Sequence, residues 1–119
     1  MSTITLPLPI SANVYWRHTT VRGKPMIYVS QEAQTYRELV GWRCLEANIG
    51  PFHGSLKMTI QAYICDVRRD TDNVVKVLFD SLQGHAYDDD NQIVEYHVYR
   101  HKAKTRKDGK VIVDIEEVA

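Results

Sequence analysis

The chain has 119 residues, of which 44% are apolar and 25% charged, and its 15 basic and 15 acidic side chains cancel. This composition predicts one globular domain over residues 1–119 and excludes disordered, collagen-like and disulfide-built chains. No apolar run approaches the roughly 18 residues of a membrane helix, and no secretory signal is evident, so we expect a cytoplasmic protein without a membrane partner. Cys44 and Cys65 have no metal-site or redox spacing and are interpreted as reduced apolar residues.

The first half of the chain predicts a strand, a hairpin and a helix. Residues 4–6 form a short strand, which the prolines after it confine to an edge or a terminus. Residues 14–29 contain two apolar runs around a polar turn, as is typical of an irregular hairpin. Ser30 is suited to cap a first main helix, whose apolar side chains recur at helical spacing up to residue 47. The hairpin tip carries a small basic group, namely Arg17, His18, Arg22 and Lys24.

The second half predicts a strand, a helix and two more strands. Residues 56–65 alternate between apolar and polar, which indicates a half-buried strand. Residues 73–83 predict a second helix, with Gly84 following its C-terminal end. Residues 93–99 and 111–115 predict two strands joined by a basic turn. Together these elements predict an α+β fold with a mixed sheet of about four to six strands and two main helices, in an undetermined strand order.

Charge is segregated along the chain. Seven acidic residues lie between positions 66 and 90, and six basic residues lie between positions 100 and 110. A basic stretch suits a phosphate backbone, although a solvated face is the alternative interpretation. The basic stretch consists of Arg100, Lys102, Lys104, Arg106, Lys107 and Lys110.

Two aspartates, Asp70 and Asp72, lie where the strand 56–65 leads into the second helix. On extended backbone, residues two apart project to the same face, so these carboxylates could share a hard cation. Oxygen ligands suit Mg²⁺ or Mn²⁺. The alternative for Asp72 is that it caps the helix, whereas Asp70 would precede such a cap. An EF-hand is excluded because the glycine of its sharp turn is missing.

A third carboxylate is available from the acidic run 88–90. The second helix carries the chain about 16 Å away from Asp72, and the following seven residues can return about 23 Å when extended. The run could therefore come back to the start of the helix. The alternative is a hydrated turn, which is the common role of such residues.

Lys76 lies one helical turn after Asp72 and one turn before Asp80. It could form a salt-bridge ladder with both, or it could stabilise the charge that develops on a phosphodiester. The second interpretation, combined with a metal, indicates phosphoryl hydrolysis. His97 and His101 lack a third ligand for zinc and are interpreted as structural or solvent-facing. Tyr15 and Trp16 are expected in the core, with contact to unstacked bases as the alternative.

The acidic motifs, taken together, resemble those of the RusA-type Holliday-junction resolvases of bacteria and their prophages. The resemblance is carried by the string Arg69-Asp70-x-Asp72-Asn73-x-x-Lys76-x-x-Phe79-Asp80-x-Leu82 and by Asp89-Asp90-x-Gln92-Ile93-Val94. It extends to the start of the chain through Ile4-Thr5-Leu6-Pro7-x-Pro9, Asn13 and Tyr15-Trp16-Arg17-His18, and to Val29-Ser30-x-x-Ala33-x-x-Tyr36-Arg37.

This resemblance implies a homodimeric, Mg²⁺-dependent endonuclease that resolves four-way DNA junctions by paired symmetrical nicks, with Mn²⁺ as a possible substitute. It implies that Asp70, Asp72 and Asp90 hold the metal and that Lys76 is catalytic. The extra Asp88 leaves Asp89 as an alternative to Asp90. The expected contacts to branched DNA are Arg69, Arg17, Lys102, Lys104, Arg106 and Lys107.

Two other functions fit the same residues. A metal-dependent nuclease without junction preference would use the same carboxylates. A catalytically silent DNA-binding module would use them only to cap a helix and line a turn. A two-fold symmetric dimer suits the first interpretation, because a four-way junction has two equivalent strands to cut.

Overall fold

The computed structural model describes residues 2–118. It is an α+β fold, as predicted, with six strands in two sheets. The elements, in chain order, are β1 (Ser2–Pro7), α1 (Ala12–Tyr15), β2 (Trp16–Val21), β3 (Lys24–Val29), α2 (Gln31–Glu46), β4 (Leu56–Ile64), α3 (Thr71–Leu82), β5 (Ile93–Lys102) and β6 (Lys110–Glu117). Two 3₁₀ turns, Asp90–Gln92 and Arg106–Asp108, precede β5 and β6.

The main sheet has the strand order β1-β6-β4-β5. β4 pairs in parallel with β5 and antiparallel with β6, while β1 pairs antiparallel with β6. The predicted strands 93–99 and 111–115 therefore exist but are not neighbours, because β4 lies between them. A parallel pair needs a crossover connection, which α3 supplies between β4 and β5. The short basic connection then carries the chain across β4 to its other side.

One face of the main sheet forms the core. Alternate residues of β4 are buried from Leu56 to Ile64, which confirms the predicted half-buried strand. Tyr36 and Val40 of α2, together with Leu78 and Leu82 of α3, pack against this face. Their apolar side chains leave water on folding, which is the main favourable term for the fold.

The long helix α2 confirms the predicted first main helix. Ser30 is its N-cap, and the side-chain oxygen accepts a hydrogen bond from the Ala33 N–H at 3.1 Å. The helix ends at Glu46, and Asn48 follows with a positive φ of 56°. Among residues 2–118, no helix is both long enough and apolar enough to cross a membrane.

The start of α3 corrects the prediction. The helix begins at Thr71 rather than near residue 73, and its N-cap is Asp70 rather than Asp72. Asp70 has extended backbone, whereas Asp72 lies in the first helical turn, so the expected common face on extended backbone does not exist. The end agrees with the prediction, since Gly84 follows the C-cap with a φ of 89°. Glycine adopts this conformation without steric cost.

The predicted hairpin 14–29 forms from β2 and β3, which pair only with each other among the described residues. It starts at Trp16, because the preceding residues form the one-turn helix α1. Tyr15 is fully buried there and packs with Ala33 and Val77 in a second, smaller core. The prediction of a core position for Tyr15 is therefore confirmed, and contact of this ring with unstacked bases is excluded.

Candidate active site

A cavity of about 400 Å³ lies between α3 and the start of β5. Three of the candidate catalytic side chains line it: Asp72, Lys76 and Asp90. The chain therefore does return from the end of α3 to the helix's N-terminal side, as the loop length allows. The remaining lining residues are Thr71, Val75, Phe79, Ile93, Tyr96 and Val98.

Helical spacing puts two of these residues on the same face. Asp72 and Lys76 are four residues apart in α3, so their side chains are neighbours on one exposed surface of the helix. Val74 and Leu78 are fully buried on another face. Burial of that face fixes the rotation of α3, and the rotation directs Asp72 and Lys76 into the cavity.

Lys76 is held by an aromatic ring rather than by a carboxylate. Its Nζ lies 5.0 Å from the centroid of the Trp16 ring, within the range of a cation–π interaction. None of the ion pairs within residues 2–118 involves Lys76, so the salt-bridge ladder with Asp72 and Asp80 is absent. The ammonium is therefore not neutralised by an acidic neighbour.

Asp80 is engaged by Tyr15 instead. The Tyr15 hydroxyl donates a hydrogen bond to the Asp80 carboxylate. Burial, together with this hydrogen bond, raises the pKa of Tyr15 to about 12, so the phenol stays protonated at neutral pH. This contact ties α1, and with it the base of the hairpin, to the helix that carries Lys76.

The segment 66–72, which carries Asp70 and Asp72, is tied to the edge strand β5 by Arg100. The Arg100 guanidinium donates to the carbonyl oxygens of Asp66 and Arg69, the former at 3.1 Å. It also donates to the Thr71 hydroxyl at 3.0 Å. The guanidinium is planar and carries several N–H donors, so it can bind these three oxygen acceptors at the same time. Arg100 therefore fixes the backbone around Asp70.

Asp70 itself lies beside the cavity rather than in its lining. It is exposed, and its carboxylate makes no capping hydrogen bond although it occupies the N-cap position. Within residues 2–118, no three side chains of His, Cys, Asp or Glu are grouped closely enough to hold a metal ion by themselves. The structure thus brings Asp72 and Asp90 to one cavity and leaves Asp70 at its edge.

The turn 88–92 is held by the side chain of Gln92. Its Oε1 accepts hydrogen bonds from the N–H groups of Asp88 and Asp89 at 2.8 and 2.9 Å. Its Nε2 donates to the carbonyl oxygens of Phe52 and Gly54 at 2.8 and 3.0 Å. The first two bonds hold the turn together, and the last two fix it against the loop before β4.

Asp89 and Asp90 have different environments within this turn. The Asp89 carboxylate caps the 3₁₀ turn by accepting a hydrogen bond from the Asn91 N–H at 2.9 Å. Asp90 lines the cavity. Partial desolvation raises the pKa of Asp90 above its usual range. A hydrogen bond with Asp89 and the negative charges of Asp89 and Asp80 raise it further. Neither Asp72 nor Asp90 forms a direct ion pair within the described residues.

Comparison with known proteins is consistent with this geometry. The family model described as endodeoxyribonuclease RusA matches residues 7–116. The chain belongs to the RusA family. It is 38% identical to the crossover junction endodeoxyribonuclease RusA of Escherichia coli (strain K12), over 97% of this chain and 93% of that protein. The proteins of the same name from Enterobacteria phage 82 and Shigella sonnei (strain Ss046) are 35% and 37% identical over the same shares.

The basic residues predicted to contact DNA lie in three places. Arg17 is exposed on the hairpin. Arg69 is partly buried and donates a hydrogen bond to the Pro9 carbonyl oxygen, so it ties the site segment to the loop after β1. The other four are exposed at the end of β5 and in the connection to β6, namely Lys102, Lys104, Arg106 and Lys107.

The two histidines of β5 are in the predicted structural or exposed positions. The His97 ring is 2.7 Å from the Glu95 carboxylate, and His101 contacts Gln61 while it stacks on Tyr63. Neither of them lines the cavity.

Three residues that support this RusA-family site were missed as site residues at the sequence level: Trp16, Gln92 and Arg100. Gln92 was visible as part of the family string, but its four hydrogen bonds were not. Arg100 was counted only as one basic residue among six. Its contacts to a segment about 30 positions earlier depend on β5 lying beside β4, an order that the sequence did not give.

Proposed function

We propose that this chain, as a single nuclease domain over residues 1–119, is a crossover junction endodeoxyribonuclease that cuts four-way DNA by paired symmetrical nicks in recombination and repair. Membership in the RusA family, whose relatives carry this name in Escherichia coli and a phage, supports the activity. The same relatives support action in the cytoplasm of a bacterial cell. The observation that carries the proposal for the site is the shared cavity of Asp72, Lys76 and Asp90.

The carboxylates of the cavity fit a divalent cation. Asp72 and Asp90 have no ion-pair partner within the described chain, and the pKa of Asp90 is raised by desolvation and by the neighbouring Asp89 and Asp80. Mg²⁺ is commonly held by one or two protein carboxylates together with substrate phosphates. We assign Asp72 and Asp90 as the ligands and Asp70, whose carboxylate makes no capping bond, as the third candidate. Mn²⁺ has similar ligand preferences and is expected to substitute.

When bound, the ion would supply Lewis-acid stabilisation of the charge on the phosphodiester oxygens. Lys76 contributes a second positive charge to the same cavity, where its ammonium can bind the phosphate oxygen that gains charge as the bond to the leaving group breaks. The Trp16 ring restricts the positions that this ammonium can adopt. Phe79 and Tyr96, whose ring centroids are 5.1 Å apart, line the apolar side of the cavity.

We further propose that branched DNA is bound by a homodimer. Two-fold symmetry would place one cavity on each of the two equivalent strands of a junction, which matches paired nicking. The phosphate contacts would come from Arg17 on the hairpin and from the bases after β5, namely Lys102, Lys104, Arg106 and Lys107. Arg69 would contribute at the edge of the site while it holds the loop after β1.

Incubation with a synthetic four-way junction tests this function directly. With Mg²⁺ we expect one incision on each of two opposite strands at symmetrical positions, and without a divalent cation we expect none. A linear duplex and a single-stranded flap serve as controls. Cutting of all three substrates at equal rates would identify a nuclease without junction preference. Mg²⁺-independent binding with no product at any metal concentration would identify a silent DNA-binding module.

The Asp70→Asn variant tests the third candidate ligand. We expect nicking to be abolished while junction binding, measured by gel shift in EDTA, is retained, because the substitution removes a negative charge and no DNA contact. Full activity in this variant would remove Asp70 from the site and leave Asp72 and Asp90 as the only protein ligands.

A further inference from the structure

The outer part of the β2–β3 hairpin carries several exposed apolar side chains. Its strands pair only with each other within residues 2–118. A lone two-stranded hairpin is marginally stable in water. Its base is anchored, since Trp16 and Val29 pack against the small core around Tyr15. Beyond the base, however, Met26 is 47% exposed and Tyr28 48% exposed. The outer hairpin therefore presents apolar side chains to a partner rather than to the rest of the chain.

Strand register separates the hairpin into two faces. Arg17 is opposite Tyr28, and Val21 is opposite Lys24. Directly opposite residues in an antiparallel pair point to the same side. Trp16 and Val29 lie on the other side, which is the one that packs on the small core at its base. The side that faces away from the small core, called the open face below, consists of Arg17, Thr19, Val21, Lys24, Met26 and Tyr28. On the other side the contact with the core is confined to the base, since Ile27 is 64% exposed.

The charge of the hairpin selects its partner. Residues 16–29 contain Arg17, His18, Arg22 and Lys24 and no Asp or Glu. This excess of positive charge complements phosphates. The apolar side chains between the basic ones suit a partner that also offers flat apolar surfaces. Nucleic acid with unstacked bases has both features, whereas a continuous duplex hides its base faces in the stack.

The hairpin is also positioned to reach such bases. It begins at Trp16, whose ring lies 5.0 Å from the Lys76 ammonium in the cavity. Six residues per strand at about 3.4 Å each extend it by about 20 Å. A phosphate bound at Lys76 would leave the neighbouring nucleotides within the length of the hairpin.

We infer that the open face contacts unstacked bases at the branch point of the DNA, with Tyr28 as the stacking residue and Met26 beside it. Arg17 and Lys24 bind the adjacent phosphates. Under this assignment the basic residues give affinity for any DNA, and the apolar residues give the preference for branched over linear DNA. The inference rests on the proposed function and deepens it by naming the surface that selects the substrate.

The test measures binding without cleavage. Fluorescence anisotropy in EDTA compares a four-way junction with a linear duplex of the same sequence. We expect Tyr28→Ala to weaken junction binding about 10-fold and to leave duplex binding unchanged, since stacking on an aromatic ring occurs only where a base is exposed. Tyr28→Phe keeps the ring and should bind as the parent protein does. Lys24→Ala should weaken binding to both DNAs by the same factor.

A second readout follows the bases themselves. The fluorescence of 2-aminopurine placed at the branch point should change when the parent protein binds, and this change should be lost in Tyr28→Ala. Trp42, on α2, is 65% exposed, so Trp42→Ala is the matched control for loss of an exposed aromatic ring. Circular dichroism verifies that each variant is folded.

Two results would overturn the inference. One is a Tyr28→Ala variant whose junction-to-duplex affinity ratio equals that of the parent protein. The other is a change of oligomeric state in this variant by sedimentation, which would make the open face a contact between copies of the chain. Both are independent of the proposed activity, because failure of the parent protein to cut a junction with Mg²⁺ refutes the activity and leaves the binding ratio measurable.

Discussion

The two acidic segments that meet at the cavity are held by different side chains. The segment 66–72 is tied by Arg100, a charged residue of a neighbouring strand that donates to backbone and hydroxyl oxygens. The turn 88–92 is tied by Gln92, a neutral residue of the turn itself that both accepts and donates. The first attachment therefore depends on the strand order of the sheet, whereas the second combines two bonds within the turn with two bonds to the loop before β4.

The carboxylates of the two segments also differ in their surroundings. The Arg68 backbone N–H and guanidinium bind Asp66, and these hydrogen bonds lower the pKa of its carboxyl. Asp90, in contrast, has a raised pKa because partial burial and neighbouring carboxylates disfavour its charged form.

Within the turn 88–92, the largest effect is expected from Asp90, whereas the adjacent Asp89 has a different role. Asp90→Asn should reduce junction cleavage by at least about 100-fold, because a metal ligand contributes several kcal/mol to transition-state stabilisation. Asp89→Asn should leave most of the activity, because an asparagine can still accept the capping hydrogen bond from Asn91. Single-turnover cleavage at saturating enzyme measures both. Equal losses in the two variants would contradict the assignment of Asp90 over Asp89.

A smaller effect is expected from the two residues that hold the segments. Arg100→Lys keeps the charge but loses the planar fork, and Gln92→Leu loses the four hydrogen bonds of the Gln92 side chain. We expect each to reduce cleavage about 10-fold to 100-fold by misplacing the carboxylates, as loss of a residue that orients a metal ligand commonly does. A Mg²⁺ titration of the cleavage rate should show a shift to higher concentration in both variants.

Junction binding measured in EDTA separates misplaced carboxylates from lost DNA contacts. It should be unchanged in Gln92→Leu and in Arg100→Lys. Lys104→Ala is a matched control for Arg100, because it removes an exposed base that makes no side-chain contact to the segment 66–72 in the described chain. It should weaken binding without moving the Mg²⁺ midpoint. A variant of Arg100 that loses only DNA affinity would show that this residue acts as a phosphate contact.

The sequence predicted local features well because local patterns determine them. The alternation along β4, the Ser30 cap of α2 and the glycine after α3 each depend on a few adjacent residues. The position of β4 between β5 and β6 could not be predicted, because strand pairing depends on contacts between distant residues. The one-turn helix α1 was missed because four residues are too few to show a helical period.

The candidate site was predicted in part for the same reason. Asp72 and Lys76 share a face because they are four residues apart on one helix, and this spacing is evident from the sequence alone. The sequence predicts a helix start about two residues too late. Asp70 is therefore expected before the cap, whereas in the structure it is the N-cap itself. The contact of Trp16 with Lys76 joins residues 60 positions apart and had no local signal.

The smallest expected effect concerns the contact between Trp16 and Lys76. It tests whether the Trp16 ring positions the Lys76 ammonium. Trp16→Leu removes the ring beside the Lys76 ammonium while it keeps an apolar side chain at the hairpin base. A cation–π interaction is worth about 0.5–2 kcal/mol, so we expect kcat to fall about 2-fold to 30-fold. KM for the junction should change little, because the lost contact is to Lys76 and not to DNA. Trp16→Phe, which keeps an aromatic face, should recover most of the rate. A raised KM with unchanged kcat in Trp16→Leu would assign Trp16 to substrate binding instead.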